Sequence, residues 1–387
     1  MTTRTVSLRR LVRCLDGQRV PLNRDQRSEL QGTIPYWGAN GIVDRVVEHI
    51  FDEELVLLGE DGAPFDDPTR EVAFHVTGPV WANNHIHVLR PTGSNGRYLT
   101  YALNAMDWRP LVTGSTRDKL TQDDMMRARV PVYDLDQQRR IADFLDAETA
   151  RIDALITAKQ QMIDLLDERR WLVLSKVIAK GGYPIVPLRR ALTAITDGPF
   201  GSAFSSSDYS EAGVAVVRLG NIGFAEWRSG DLAHIPDDRF HEFQRHRVEP
   251  GDLLIAGLGD ARNHAGRACV APELGRAIVK GKCFCARVDG AVAVADYLAM
   301  FCSSPAGAAA TSVEARGSTR LMINLDIMKA MNVPLPSLSH QITIVSSVRR
   351  AWAAIDLTRR GLQSQIDLLR ERRQALITAA VTGELAL

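Results

Sequence analysis

Two tetrads carry residue types suited to gripping an anion. Gly114-Ser115-Thr116-Arg117 recurs as Gly317-Ser318-Thr319-Arg320, 203 residues further along the chain. Glycine permits close backbone approach, Ser and Thr hydroxyls and backbone N–H groups suit phosphate oxygens, and Arg adds positive charge. The same Ser and Thr would equally serve as the N-cap of a following helix. Polar and aromatic clusters lie elsewhere: Tyr36-Trp37-Gly38-Ala39-Asn40-Gly41 and Trp81-Ala82-Asn83-Asn84, then Arg218-Leu219-Gly220-Asn221 and Gly259-Asp260-Ala261-Arg262-Asn263-His264. Asn and Arg pair bidentately with adenine and guanine edges. The candidate phosphate and base contacts are therefore Tyr36, Trp37, Asn40, Asn83, Ser115, Thr116, Arg117, Arg218, Asn221, Arg262, Asn263, Ser318, Thr319 and Arg320.

Catalytic and metal motifs are missing. Gly275…Gly281-Lys282 has the wrong spacing for a phosphate loop and is followed by Cys283, and no HExxH, GxSxG or GxGxxG occurs. The pair in His85-Ile86-His87 falls on one face of a strand and reads as a sheet-surface feature or polar contact. The acidic run Glu60-Asp61-Gly62…Asp66-Asp67 reads as a turn-rich loop. Cys14, Cys269, Cys283, Cys285 and Cys302 form no CxxC pair, so they are expected to be reduced and structural. No catalytic group, metal or resident cofactor is expected in this chain. The net charge of +1 says nothing about a polyanionic partner. The cations are 40 Arg against 7 Lys, which suits bidentate phosphate contact but also follows from a GC-rich coding bias. No apolar run approaches the roughly 18 residues of a membrane span, and no apolar segment follows the first residues, so a cytoplasmic location is expected.

The tetrads belong to a larger repeat. Residues 114–170 match 317–373 without a gap at 22 of 57 positions, including Val130-Pro131 with Val333-Pro334 and Gln138 with Gln341. Such a period is too long for a solenoid and marks a duplicated module. Four segments result: a mixed body at 1–130, a helical stretch at 131–182, a second mixed body at 183–333 and a second helical stretch at 334–387. The bodies show β-like runs at Glu54–Leu58, His85–Leu89, Val214–Leu219, Asp252–Ala256 and Cys283–Val288. In the helices, Val348, Ile355, Leu362, Leu369 and Leu376 fall seven apart, matched by Leu145, Ile152, Lys159, Leu166 and Val173. Ile141, Leu155, Ile156, Met162 and Ile163 are expected to widen the first stripe. A seven-residue apolar repeat keeps one seam against a partner helix. The expected fold is α+β: two globular mixed α/β domains separated by two long helices in an antiparallel coiled coil, with internal pseudo-two-fold duplication.

Ile34-Pro35-Tyr36-Trp37-Gly38-Ala39-Asn40-Gly41, Leu58-Gly59-Glu60-Asp61-Gly62-Ala63-Pro64, the two tetrads and the C-terminal Leu368–Leu385 run together resemble the specificity subunit of type I restriction–modification systems. The resemblance covers essentially the whole chain. It departs where the helix starts read Gln137-Gln138 and His340-Gln341 instead of Glu-Gln, and where the first helix ends without Val-Thr-Gly-Glu. The resemblance implies two target-recognition domains, at 1–130 and 183–333, each reading half of a bipartite asymmetric DNA site. It implies a non-catalytic subunit that directs adenine methylation and restriction by its partners. Those partners are two methyltransferase and two motor-nuclease subunits, which would hold S-adenosylmethionine, ATP and Mg²⁺. The helix residues expected to meet partner subunits are Leu145, Ile152, Leu166, Arg169, Arg170, Ile355, Leu369, Arg372 and Arg373. The alternatives are an architectural coiled-coil scaffold and a nuclease with unrecognised motifs.

Overall fold

A computed structural model of the chain describes residues 4–113, 118–199, 208–230, 232–260, 262–312 and 322–387, so both Gly-Ser-Thr-Arg tetrads lie outside the described residues. The chain divides into two compact units, Met1–Gln161 with Gly361–Leu387, and Met162–Arg360. These units cut across the four sequence segments because each long helix is shared. Leu135–Lys180 and Leu338–Thr382 each give part of their length to either unit.

In the first unit the body is built on Leu55–Gly59, a strand buried at every position. It lies in a four-stranded antiparallel sheet ordered Val12–Cys14, Ile86–Pro91, Leu55–Gly59, Ala73–Val76. An unbroken apolar run of this length is what a strand covered on both faces requires. A second sheet is ordered Gly41–Val46, Gln31–Gly38, Pro79–Ala82, Phe51–Asp52, with Tyr36 and Trp37 in parallel register with Trp81 and Ala82. Helix Gly96–Asn104 covers the first sheet and is capped by the Asn95 side chain on Tyr98 N–H.

The second unit repeats the plan. Its antiparallel sheet is ordered Leu192–Asp197, Cys283–Val288, Leu253–Ala256, Ala268–Val270, with Leu253–Ala256 wholly buried. A three-stranded sheet pairs Val214–Val217 antiparallel with Ala233–Ile235 and parallel with Ala277–Val279. Helix Ala295–Ser303 takes the place of Gly96–Asn104. All five β-like runs read from the sequence are strands, shifted by a residue or two at their ends.

A short ladder closes each body where the long helix leaves it: Arg4–Ser7 with Arg129–Val132, and Ile185–Pro187 with Asn332–Pro334. The duplicated glutamines sit one turn into each helix and clasp the body. Gln138 Oε1 accepts from Ser94 Oγ and Asn95 N, both at 2.8 Å, while its Nε2 donates to Tyr133 O at 2.8 Å. Gln341 Oε1 accepts from Val294 N at 2.8 Å, and its Nε2 donates to Val292 O and Pro336 O at 3.1 and 2.8 Å. Both side chains are buried. Gly383, in the left-handed region at φ +83°, ends the second helix, and Glu384 N–H and Leu385 N–H donate back to Ala379 O.

Within each unit the two helix segments run antiparallel. In the first, Arg373 pairs with Asp153 at 3.1 Å and Glu71 at 2.6 Å, and Lys159 Nζ donates to Gln365 Oε1 at 2.6 Å. In the second, Arg170 lies 4.5 Å over the Trp352 ring and pairs with Asp356 at 3.4 Å, while Arg359 pairs with Asp167 at 3.2 Å. Arg170–Asp356 is the duplicate of Arg373–Asp153, 203 residues displaced on both sides. Leu145, Ile152, Val348, Ile355 and Leu362 of the seven-residue sets are buried, and Leu166, Val173, Leu369 and Leu376 half-buried. Ile141 and Ile163 are buried too. Leu155 and Met162, expected to widen the stripe, are instead about half exposed, at 47% and 50%. Their positions fall outside the arc that the seam and body cover.

Replacing Gln341 by Leu strands the Val294 N–H and two carbonyls in a dry site, at about 1–3 kcal/mol per unsatisfied group. The Gln341→Leu chain is expected to unfold at a lower urea midpoint, its second unit first. Tryptophan fluorescence, with Trp171 and Trp352 as reporters in that unit, checks this.

Candidate nucleic-acid interface

In the first body three turns meet. The turn after Gly38 carries Asn40, whose Nδ2 donates to Gly62 O at 3.1 Å. Asn83 N–H donates to Trp37 O at 3.0 Å, and Asn83 Oδ1 accepts from His85 N at 2.8 Å. His85 O in turn accepts from Glu60 N at 2.9 Å. Gly59 has no room for a side chain, since an added Cβ would lie 2.3 Å from that of Ala63. Gly62 N–H donates to Asp118 O, so the residue following the first tetrad abuts this group of turns. Three stretches far apart in sequence, 37–41, 59–62 and 83–85, therefore form one surface. Asn40 is exposed on it and Asn83 half-buried.

Beneath that surface lies an ionic knot. His87 Nδ1 meets Asp16 Oδ2 at 2.6 Å and its Nε2 meets Leu120 O at 3.0 Å. Arg19 Nη1 donates to Glu60 Oε2 at 2.6 Å, and Lys119 approaches Glu60 at 3.4 Å. Burial pushes the Asp16 carboxyl up, but the hydrogen bonds from His87 and Val88 N–H and the Arg19 charge together hold it below its ordinary value. Asp16, Glu60 and His87 place donor atoms within 4.8 Å of one another, as a cation site would. Two cationic side chains already neutralise Glu60, which makes the group a structural knot. His87, read from the sequence as a sheet-surface feature or a polar contact, is buried and makes polar contacts with Asp16 and Leu120.

The second body holds its turns by a different device. Arg267 is buried, and its guanidinium donates to Ile222 O at 2.9 Å, Leu219 O at 3.0 Å, Leu258 O at 3.2 Å and His264 O at 3.1 Å. Burial draws its pKa below the ordinary guanidinium value. One side chain thus ties the 218–221 turn to the 258–264 turn. Asp260 shapes the latter by accepting from the Arg262 and Asn263 N–H groups at 2.8 and 2.9 Å, bonds that also lower its pKa. Arg262 is left exposed at the tip of this turn. Leu258 bridges to Met322, two residues past the second tetrad, much as Gly62 meets Asp118 in the first body. Arg218 and Lys280 border a cavity of about 430 Å³ and both lie over the Tyr209 ring, at 5.9 and 5.0 Å.

The sequence-read contacts divide accordingly. Asn40, Asn83, Arg218, Arg262 and Asn263 stand on these surfaces. Tyr36 is buried, accepts from Leu22 N–H at 2.9 Å and packs under Arg27. Asn221 is buried with both ends used: Oδ1 accepts from Arg218 N, and Nδ2 donates to Arg228 O and Gly230 O. Trp37 packs against Phe74 with the rings tilted by 45° and their centres 5.2 Å apart, and its indole nitrogen is buried. These three shape the turns from beneath. Ser115, Thr116, Arg117, Ser318, Thr319 and Arg320 lie outside the described residues. On the helices, Leu145, Ile152 and Ile355 are buried in their own units, and Arg170 and Arg373 are committed to seam ion pairs. Leu166 and Leu369 are half-buried, and Arg169 and Arg372 face outward. Arg267 was missed because an Arg flanked by Gly266 and Ala268 carries no mark of burial in sequence.

Residues 15–165 match the Type I restriction modification DNA specificity domain. A type I restriction enzyme specificity subunit of Haemophilus influenzae is 28% identical over 263 residues, 63% of either chain. The EcoBI specificity subunit of Escherichia coli is 22% identical over 281 residues, 66% of this chain and 58% of its own. The chain spans about three fifths of the length of these curated relatives. A solved chain described for complex assembly and conformational transition of the type I R-M system superposes with a TM-score of 0.69 at 16% identity. The match covers 99% of this chain and 98% of that one. At that identity the likeness establishes the fold.

Arg267→Leu strands four carbonyls at once, and Arg267→Lys supplies too few donors to replace them. Both variants are expected to destabilise the second unit by at least about 3 kcal/mol and to speed amide exchange in 219–222 and 258–264. Hydrogen-exchange mass spectrometry checks the loops, and urea unfolding the stability.

Proposed function

We propose that the chain is the DNA-recognition component of a type I restriction–modification complex, a reading supported by the specificity-domain match over residues 15–165 and by the likeness to curated specificity subunits. Each body, at 1–130 and 183–333, reads one half of a bipartite asymmetric site, and the helical stretches 131–182 and 334–387 separate the halves. The observation that carries this reading is the pairing of one scaffold with two unlike sets of exposed polar turns. Asn40 and Asn83 stand on the first body, and Arg218, Arg262 and Asn263 on the second. The same order of strands in the four-stranded antiparallel sheets, beneath different side chains, suits two different half-sequences read through the groove edges. The tetrad residues Ser115, Thr116, Arg117, Ser318, Thr319 and Arg320 would add phosphate contacts.

The chain is not itself an enzyme in this reading. Adenine methylation and restriction fall to two methyltransferase and two motor-nuclease subunits, which hold S-adenosylmethionine, ATP and Mg²⁺. Arg169 and Arg372, on the outward helix faces, are contacts available to those partners. The complex works in the cytoplasm, and no helix among the described residues is long and apolar enough to cross a membrane.

The pure chain is expected to neither cleave nor methylate DNA, whereas the assembled complex methylates two half-sequences across a fixed gap. Inserting seven residues into each long helix keeps the seam aligned and adds about 10 Å, or roughly three base pairs of rise. Modified-base sequencing should return the same half-sequences with a wider gap. Turnover by the chain alone would contradict the non-catalytic assignment. An unaltered gap in a stable, methylating complex would contradict the spacer role.

A further inference from the structure

The duplicated halves grip their long helices through identical parts. Tyr98 donates to Pro131 O at 3.0 Å in one unit, and Tyr297 to Pro334 O at 2.6 Å in the other. The two glutamine clasps are equivalent as well. With grips this alike, the first body would also fit the start of the second helix, and the second body the start of the first.

Next to the shared grip the contacts are opposite. Arg97 on the first body pairs with Asp143 and Asp146 of the first long helix, at 2.7 and 2.5 Å. In the second body Asp296 occupies the place of Arg97, one residue before the grip tyrosine in each case. It pairs with Arg349, the duplicate of Asp146 203 residues on. The duplicate of Asp143 is Ser346. The polarity of the pair is inverted between the halves.

A neighbouring contact differs in kind. Tyr101 donates to Asp146 Oδ1 at 2.8 Å and lies 3.2 Å from Thr149 Oγ1. At the corresponding places of the second unit stand Met300 and Trp352, both in one buried apolar cluster.

We propose that these unlike contacts make each body fit the start of its own long helix and reject the other, so that the two halves assemble in one arrangement. In the crossed arrangement Arg97 would face Arg349, and Asp296 would face Asp143 and Asp146. Tyr101 would meet Trp352, and Met300 would leave Asp146 and Thr149 without their hydroxyl partner. Specificity between similar surfaces rests on such repulsive alternatives as much as on attraction. The ion pairs are partly exposed, so each adds little to stability; their effect is on which pairing wins. The partner that each surface accepts is a helix start of its own type.

The test makes the two halves alike. Arg97→Asp with Asp143→Ser and Asp146→Arg gives the first half the polarity of the second while keeping its own pair. This matched variant is refolded from guanidinium beside the unaltered chain, and native monomer is measured by size exclusion, with dimer as the by-product. The matched variant is expected to return roughly threefold less native monomer. Adding Asp296→Arg, Ser346→Asp and Arg349→Asp inverts both halves and makes them unlike again, and should restore the yield. An undiminished yield in the matched variant overturns the proposal. So does a loss that the fully inverted variant fails to restore, because that loss would reflect weakened packing alone.

Discussion

The arrangement depends on one constraint: an apolar stripe on a helix must be covered along its whole length. The first long helix has 46 residues and the second 45, about 69 and 68 Å of stripe each. A single sheet-built body covers only the end it touches. Ile141, Ala142 and Leu145 enter the core of the first body, as do Ile377, Ala380 and Val381 from the far end of the other helix. Leu174 and the segment Ile344–Trp352 do the same in the second. What the bodies leave open, the opposing helix covers. This is why each compact unit takes part of both helices, and why the register ion pairs recur in each unit.

The turn surfaces depend on interior polar groups in a second, local way. Exposed Asn40 and Arg262 hold their positions because buried groups hold the backbone that carries them. In the first body that work falls to the Asp16–His87 and Arg19–Glu60 pairs, and in the second to Arg267. A buried polar network that is fully bonded fixes one conformation, and one that is partly bonded does not. The two bodies reach this condition with different residues on the same strand order. Surface sequence has therefore diverged without loss of the frame beneath.

Much of the frame was legible in the sequence. The seven-residue spacing of Val348, Ile355 and Leu362 is a direct imprint of burial on one helix face, and the apolar runs at 55–58 and 253–256 are imprints of strands covered on both sides. The 203-residue repeat announced two equivalent units. The site was less legible. Tyr36 and Asn221 belong to turn motifs and look exposed, but a side chain beside free carbonyls and N–H groups is as useful beneath a turn as on it. Arg267 and His87 were unreadable for the opposite reason. Their burial rests on partners such as Asp16, 71 residues from His87, and Leu219, 48 residues from Arg267, which no local pattern encodes.

The discontinuity of the first unit bears on how the chain is made. That unit needs residues 361–387, whereas the second is one continuous stretch, 162–360. On the ribosome, domains ordinarily fold in the order in which they emerge. Here the order of completion is reversed. Every residue of the second unit has been synthesised before the first unit receives Ile377, Ala380 and Val381, which fill its core. Until then the core of the first body lacks the part of its packing that Ile377, Ala380 and Val381 supply. The last stretch of the chain thus acts as the clasp that completes what the first stretch began.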